Sequence, residues 1–341
     1  MKNPDINTQN HCYDRISPRG GGHIDLVYLW VDGDDEQIKK KREYWHKKYE
    51  QKIEPQSINK SRFIDNQELK YSLRSVEKYA PWINNIFIIT DNQKPEWLDT
   101  SHEKIHIIDH SEIMPAGALP TFNSSAIETC IHNIKNLSEY FLLANDDTFF
   151  TRPTSREFFY TEKIYPIFRV RHKLKIKDTH PHVKTLINAY KLIEKQFGKK
   201  YYYDPHHSID PYIKSDMAEC NNLFKNEILR TTYSKFRNVD NISRVIYLAY
   251  ACSIGKAKLK LIKKVDDNIP FYQKLQKFFF ADYHKDSIYF HACNTDYKEK
   301  ISKYKPELIC INDNEDTTDN DRIRMQKFLN DYYPDKSQFE L

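Results

Sequence analysis

The sequence predicts an α/β fold, with a mostly parallel sheet followed by a largely helical second subdomain. In the first half of the 341-residue chain, short apolar runs alternate with segments of helical pattern, which is typical of parallel strands joined by helices. After Pro153 the chain changes to aromatic, basic and helical stretches. We therefore expect a flexible lead-in at 1–23, a Rossmann-like domain at 24–155, a mainly helical lid subdomain at 156–308, and a return strand with a closing helix at 309–341.

The first domain contains the predicted strands of the parallel sheet. They are near-continuous apolar runs, as strands buried on both faces are, and they lie at 24–31, at 86–90, at 105–109 and from 140 onward. The charged segment 36–51 predicts a helix. A second helix begins with Asp65 or Asn66 as its cap and ends at Tyr79, before Pro81. A third spans 126–134 after a cap at Asn123 or Ser124.

The second half is predicted mainly from helical periodicity and its stop signals. We expect helices at 181–197, 217–230, 241–253, 274–281 and 322–333. One further short apolar run, at 309–314, ends in polar residues and predicts a strand that returns to the sheet.

Composition restricts the class of protein. The chain is 30% charged and has no apolar run of 18 residues, and residues 1–23 lack the apolar core of a signal peptide, so we expect a soluble, cytoplasmic protein. Six scattered cysteines without a CxxC pair predict reduced thiols rather than disulfides or a zinc site. The net charge of +5 is mild, and no basic stripe with stacking aromatics indicates nucleic-acid binding.

Glycine content restricts the way in which a phosphate can be bound. The chain has only seven glycines, so neither a GxGxxG motif nor a Walker loop can be written in it. Any phosphate must be held by side chains, a metal ion or the amino terminus of a helix.

Four apolar runs end in Asp or Asn side chains, and these clusters are the candidate site. They are Asp32, Asp91, Asn145 to Asp147, and Asn312 to Asn314. Such clusters on one sheet edge would suit a nucleotide-sugar site. The adjacent Asp146 and Asp147 suit Mg²⁺ or Mn²⁺, which bind carboxylates together with substrate phosphates. The alternative is that both aspartates cap a turn.

Anion-binding and proton-transfer groups are expected from three further stretches, at 66–74, 208–214 and 235–237. Arg74 suits a diphosphate, with a helix-surface ion pair to Glu77 or Glu68 as the alternative. His206 and His207 follow Pro205 in a predicted loop, where an imidazole can take the proton of an attacking hydroxyl. The alternative is a histidine with only surface contacts.

Several segments, in order, resemble the successive blocks of the Stealth family of sugar-1-phosphate transferases. They are IDLVYLWVDGDD (24–35), RFIDNQELKYSLRSVEKYAPWINNIFIITDNQKPEWL (62–98), LPTFNSSAIETCIHNI (119–134), FLLANDDTFF (141–150), HSIDPYIKSD (207–216), FRNVDNI (236–242) and CINDN (310–314). This family includes bacterial capsule and cell-wall polysaccharide phosphotransferases and the animal enzyme that places N-acetylglucosamine 1-phosphate on lysosomal glycoproteins. The resemblance implies a glycosyltransferase-like fold.

The resemblance also implies an activity and roles for residues. A hydroxyl of an acceptor sugar would attack the sugar-linked phosphate of a UDP-sugar, with a Mg²⁺ or Mn²⁺ ion bound, and UMP would leave. Asp146, Asp147 and Asp313 are the expected metal ligands, and His207, Asp147 and Arg237 the expected catalytic residues. The expected substrate-binding residues are Asp32, Asn66, Glu68, Arg74, Asn123, Ser124, Asn145, Lys214 and Asn312.

Some questions stay open at this point. The third block reads HSIDPY rather than His-x-Pro, so either His206 or His207 could face the substrate. A metal-dependent glycosyltransferase that releases UDP is the alternative activity, and a catalytically silent carbohydrate-binding protein is a second alternative. The expected acceptor is an oligosaccharide or a lipid-linked saccharide. The stretch 271–280 is either a peripheral contact with the inner face of the membrane or a buried helix.

Overall fold

The computed structural model describes residues 22–49, 63–262 and 285–341. The predicted lead-in up to residue 21, the predicted helix at 274–281 and the stretch 271–280 lie outside these residues. None of the described helices is both long enough and apolar enough to span a bilayer.

The strands are numbered in chain order. They are β1 (Ile24–Leu29), β2 (Ile86–Thr90), β3 (Ile105–Asp109), β4 (Tyr140–Asn145), β5 (Thr148–Phe150), β6 (Ile167–Lys173), β7 (Tyr203–Pro205), β8 (Asp210–Ile213), β9 (Lys258–Leu261), β10 (Ser287–His291) and β11 (Leu308–Asn312). The α-helices are α1 (Glu36–Tyr49), α2 (Glu68–Tyr79), α3 (His110–Ile113), α4 (Ser124–Glu128), α5 (Pro181–Phe197), α6 (Lys214–Leu223), α7 (Lys225–Thr232), α8 (Val245–Ser253), α9 (Tyr297–Tyr304) and α10 (Asp319–Tyr332).

The main sheet has five strands in the order β3-β2-β1-β4-β8. The first four run parallel, and β8 pairs antiparallel with β4. The apolar runs form this sheet because both of its faces are covered, and every residue of β2 is buried. The predicted α/β fold with a mostly parallel sheet is confirmed. Strand β8 comes from the part predicted as a second subdomain, and the predicted division into four parts stays a prediction.

A second, three-stranded sheet has the order β10-β11-β5. Strand β11 is the predicted return strand, but it pairs antiparallel with β5 and not with the main sheet. Helix α2 holds β5 in place, since Ser72 Oγ donates to the Thr148 carbonyl over 2.6 Å and the Phe150 N–H donates to Ser75 Oγ over 3.0 Å. The turn between β4 and β5 therefore lies where the two sheets meet.

The elements differ from the prediction in three details. Strands β7, β6 and β9 form a third sheet, which was not predicted because its alternation is short; only Phe168 to Val170 of β6 are buried. The predicted helix 217–230 is two helices, α6 and α7, which meet at the non-helical backbone of Phe224. The predicted helix 126–134 is the short α4 followed by a single 3₁₀ turn.

The start of α2 also differs from the prediction. Neither Asp65 nor Asn66 caps it; the residue before the helix is Gln67, in the left-handed conformation at φ 63° and without a side-chain cap. A non-glycine residue in this conformation is strained, and such strain is found most often at functional sites. Here it accompanies the close approach of two polar side chains, Asn66 and Glu68, whose contacts are described below.

Candidate active site

The site lies where the strand order of the main sheet reverses, between β1 and β4. Ligands of parallel α/β sheets bind beyond the carboxyl ends of strands at such a point. The two strands are paired so that Leu29 lies opposite Asn145. Asp32 follows β1, and Asp146 and Asp147 follow β4, so the clusters predicted from the sequence lie at one edge.

Asp147 is the meeting point of the two sheets. Its carbonyl accepts a hydrogen bond from the Ile311 N–H over 3.0 Å, which brings the end of β11 alongside. Its Oδ2 accepts from Asn312 Nδ2 over 3.2 Å and from Cys310 Sγ over 3.3 Å. The residue is 9% exposed, and its Oδ1 is buried with no hydrogen-bond partner in the described part of the chain. A buried carboxylate oxygen without a donor is a feature that a cation would satisfy.

Three neighbouring carboxyl groups have pKa values raised above their usual range. Burial raises the pKa of Asp146 well above its usual value, and the charges of Glu68 and Asp147 raise it further. Burial also raises the pKa of Asp147, against the hydrogen bonds from Asn312 and Cys310. Burial raises the pKa of Glu68 to about 8, although a hydrogen bond from Asn66 lowers it. Hard divalent cations bind carboxylate oxygens, so this set fits Mg²⁺ or Mn²⁺.

Asn66 and Asp313 connect this acid cluster to the last helix. Asn66 Nδ2 donates to Glu68 Oε1 over 2.8 Å and to Asp313 Oδ2 over 3.3 Å. Arg322 of α10 donates to both oxygens of Asp313, over 2.7 and 3.2 Å. Asp313, an expected metal ligand, therefore has both oxygens engaged, whereas the charge of Glu68 acts on Asp146. Asp32 reaches this cluster only through Asp65: its charge adds to the effect of burial in raising the pKa of Asp65, and the charge of Asp65 raises the pKa of Glu68 and Asp146.

The two adjacent histidines have different surroundings. His206 is buried, with Nε2 3.0 Å from Asp210 Oδ1 and Nδ1 3.1 Å from Ser287 Oγ, so both ring nitrogens are occupied. His207 is only partly buried and lies against the Tyr289 ring, with centroids 5.3 Å apart. A nitrogen of His207, an oxygen of Asp147 and Cys310 Sγ all lie within 4.8 Å of one another. The structure thus turns His207, not His206, toward the acid pair.

Arg244 is a residue of this site that the sequence analysis missed. Its guanidinium lies 3.2 Å from Glu128 and 3.6 Å from Asp210, and it donates to Asn145 Oδ1 over 3.4 Å. Its charge also contributes to the lowering of the pKa of His207 to about 3, of which burial is the main cause. One signal was available: Arg244 directly precedes the apolar helix α8, and an arginine beside a buried segment needs anionic partners.

Three further expected residues lie on or against α4, the helix that ends at Glu128. Arg237 donates to Ser124 Oγ over 2.5 Å, and its charge, after that of Arg244, counteracts the effect of burial on the pKa of Glu128. Asn123 is fully buried; its Oδ1 caps α4 by accepting from the Ser125 N–H, and its Nδ2 donates to Asn241 Oδ1 over 2.9 Å. Asn123 therefore has the contacts of a residue that positions α4, while Arg237 and Ser124 lie beside the site.

The structure does not bring Arg74 and Lys214 to this group. Arg74 forms two hydrogen bonds of 2.8 Å to the carboxylate of Glu340, a partner that the sequence did not indicate. Lys214 follows β8, which runs antiparallel to β4, so it lies at the opposite end of the sheet. Its ammonium donates to the Ile134 and Leu137 carbonyls, over 2.9 and 3.3 Å. We leave both residues out of the candidate site.

Two family models match the parts of the chain that contribute most residues to this site. "Stealth protein CR2, conserved region 2" matches residues 62–167, and "Stealth protein CR4, conserved region 4" matches residues 299–341. The capsular polysaccharide phosphotransferase LcbA of Neisseria meningitidis is 32% identical to the chain, and the alignment covers 77% of this chain and 78% of LcbA. The chain belongs to the Stealth protein family.

Longer relatives match nearly all of this Stealth chain. The exopolysaccharide phosphotransferase SCO6023 of Streptomyces coelicolor is 32% identical over 98% of the chain, and the capsular polysaccharide phosphotransferase SacB of Neisseria meningitidis serogroup A is 33% identical over 93%. The alignments cover 55% and 57% of those two proteins, so the chain spans little more than half of their length. Among solved structures, galactosyltransferase LgtC in complex with donor and acceptor sugar analogs aligns with a TM-score of 0.37 and 9% identity, covering 90% of this chain and 96% of LgtC.

Proposed function

We propose that this Stealth protein is a sugar-1-phosphate transferase of polysaccharide biosynthesis. It would transfer a hexose 1-phosphate or N-acetylhexosamine 1-phosphate from a UDP-sugar to a sugar hydroxyl of a growing polysaccharide or lipid-linked repeat unit. One observation carries the proposal: residues of both family regions meet at Asp147, where Asn312 and Cys310 bind its carboxylate. The relatives named as polysaccharide phosphotransferases support the same reaction class.

A divalent cation fits the acid cluster of this site. Asp146, Asp147 and Glu68 would hold it, because all three carboxyl groups have raised pKa values and Asp147 Oδ1 has no donor among the described residues. When bound, Mg²⁺ or Mn²⁺ would neutralise the diphosphate and stabilise the charge that develops on the leaving phosphate. Asp313 would act indirectly, by holding Asn66 against Glu68.

His207 is the proposed acceptor of the hydroxyl proton. The acceptor oxygen forms a bond to the sugar-linked phosphorus, the bond from that phosphorus to the UMP oxygen breaks, and the hydroxyl proton passes to the imidazole. The lowered pKa of about 3 keeps His207 neutral at pH 7, so a ring nitrogen can accept a proton. When Arg244 pairs with a donor phosphate, its charge would oppose protonation of His207 less than in the free protein, which would make the imidazole a better base in the complex.

Arg237 and Arg244 are the proposed cationic side of the donor site. Arg237 is held next to Ser124, and Arg244 next to Asn145 at the end of β4. An arginine within reach of a diphosphate donates two parallel hydrogen bonds and counters the charge of the transferring group. The cytoplasmic location, with contact to the inner face of the membrane, stays a prediction from the sequence.

The decisive experiment separates the nucleotide products. The purified protein is incubated with a panel of UDP-sugars, Mg²⁺ or Mn²⁺, and capsule-type oligosaccharides. We expect UMP, a phosphodiester-linked product, and loss of both when a chelator is added or Asp147 is changed to Asn. UDP as the product would instead support the glycosyltransferase alternative. Absence of nucleotide release with every donor and acceptor would contradict the proposed activity.

A further inference from the structure

The group formed by Asp147, His207 and Cys310 has a donor set unlike that of the acid cluster. One oxygen, one imidazole nitrogen and one sulfur lie within 4.8 Å of one another, and they come from the turn after β4, the loop before β8 and strand β11. Mg²⁺ and Mn²⁺ bind oxygen ligands, whereas thiolate and imidazole ligands favour Zn²⁺. Asp147 thus belongs to two neighbouring ligand sets of different chemical preference.

The spacing of these atoms is close to that of a tetrahedral zinc site. Cys310 Sγ lies 3.3 Å from Asp147 Oδ2. With Zn–S near 2.3 Å and Zn–O near 2.1 Å, tetrahedral geometry places sulfur and oxygen about 3.6 Å apart. Three protein ligands would leave the fourth position open to water, as in many zinc sites.

Two of the three ligand residues lie in the interior of the protein and not on its surface. Asp147 and Cys310 are buried, and Asp147 Oδ1, which has no hydrogen-bond partner within 22–49, 63–262 and 285–341, belongs to the residue that both ligand sets share. His207 is the more accessible member, partly buried beside Tyr289, which gives an ion a route to the buried sulfur.

We propose that Asp147, His207 and Cys310 form a zinc site, and that zinc bound there inhibits the enzyme. On binding, the Cys310 thiol releases its proton to solvent and the sulfur bonds to the metal as a thiolate, with no change of oxidation state. Zinc would withdraw Asp147 from the magnesium set and occupy the His207 nitrogen that takes the hydroxyl proton. Zinc binding is independent of the proposed function; only the inhibition rests on it.

Binding is tested on the untagged full chain with Co²⁺ as a spectroscopic probe. We expect a thiolate-to-cobalt charge-transfer band that saturates at one equivalent and is removed by Zn²⁺. Cys310→Ser should abolish the band, and His207→Gln should weaken Co²⁺ affinity at least about 10-fold, since loss of even an outer-shell partner costs that much. The exposed Cys293 is the control, and Cys293→Ser should leave the band unchanged.

Two results would overturn the zinc site. One is the absence of a thiolate band in wild-type protein, and the other is a band that persists in Cys310→Ser. Thermal unfolding establishes whether each variant is folded. If Cys310→Ser is not folded, His207→Gln decides the question, because His207 is partly exposed. An unchanged Co²⁺ affinity in that variant also contradicts the proposal.

The inhibition is tested separately by UMP release. Wild-type protein should lose activity at Zn²⁺ concentrations at least about 10-fold lower than Cys310→Ser requires, and excess Mg²⁺ should relieve the inhibition, since both ions need Asp147. Equal zinc sensitivity of the two proteins would overturn the inhibition. If no donor supports nucleotide release, the proposed function fails while the Co²⁺ titration still decides the zinc site.

Discussion

Asn312 donates a hydrogen bond of 3.2 Å to Asp147 from 165 positions further along the chain. The Tyr289 hydroxyl fixes the same amide from behind, by donating to Asn312 Oδ1 over 3.0 Å. The amide is therefore held with its donor toward the carboxylate. Through this contact the return strand sets the orientation of Asp147.

Changing His207 to Ala should lower turnover at least about 100-fold while the fold is retained, because general acid–base groups typically contribute that much. Changing His206 to Ala should instead destabilise the protein by about 1–3 kcal/mol, since it leaves buried Asp210 without one partner. Turnover and urea unfolding distinguish the two. His172, an exposed histidine, is the control. Turnover of His207→Ala above a tenth of wild type would exclude the proposed proton transfer.

Changing Arg74 to Ala should destabilise the protein without affecting catalysis by the folded molecules. The substitution leaves Glu340, whose side chain is 3% exposed, without its bidentate partner, which costs about 3–5 kcal/mol. Lys70, 3.9 Å from the same carboxylate, is the control, and Lys70→Ala should cost far less. The KM for the donor, measured at a temperature where Arg74→Ala is folded, should stay unchanged; a large increase would restore Arg74 as a phosphate ligand.

The pair of Asp286 with the buried Arg169 should make stability depend on pH. Hydrogen bonds from Lys260 and Arg169 lower the pKa of Asp286 against the effect of burial. A carboxylate with a lowered pKa in the folded state stabilises the protein above its unfolded-state value of about 4, and this stabilisation is lost as the pH falls through the folded-state value. Asp286→Asn should therefore cost about 3 kcal/mol at pH 7 and progressively less below pH ~4.

Urea unfolding of wild type and Asp286→Asn at pH 7, 5 and 3 measures this dependence. Lys260 is 44% exposed, so Lys260→Ala should cost less than Asp286→Asn at pH 7. A stability difference between wild type and Asp286→Asn that is constant from pH 7 to 3 would rule out the ionised pair as its source.

Arg244 and Glu128 should be strongly coupled in stability. Each single change, Arg244→Met or Glu128→Leu, removes the nearest partner of a largely buried charge, at about 3–5 kcal/mol. The double variant should cost less than the sum of the two by about 0.5–3 kcal/mol. The exposed pair Arg230 and Glu227, 4.0 Å apart, provides a matched cycle in which the coupling should be near zero. Additive effects at Arg244 and Glu128 would show that their contact is not formed in solution.

The sequence predicted the edge of the sheet better than it predicted the contacts there. Strands β1 and β4 were predictable because a strand buried on both faces needs a continuous apolar run, and the acidic residues that follow mark the strand ends. The partners of Arg74 and Lys214 were not predictable, since a sequence does not show which face of a helix or which end of a strand meets the crevice. Cys310 was interpreted only as a reduced thiol, because no spacing rule connects it to a carboxylate 163 positions away.

Those separations also affect how the molecule folds. Asn66 contacts Asp313 across 247 positions, and the whole site is closed by a strand near the end of the described chain. Closing such long loops costs conformational entropy, which slows the formation of these contacts. A chain leaving the ribosome also folds its early part first. The main sheet can therefore form during synthesis while the acid cluster still lacks Asn312 and Arg322. We expect ion binding and activity to appear only after β11 has emerged, and therefore later than the main sheet.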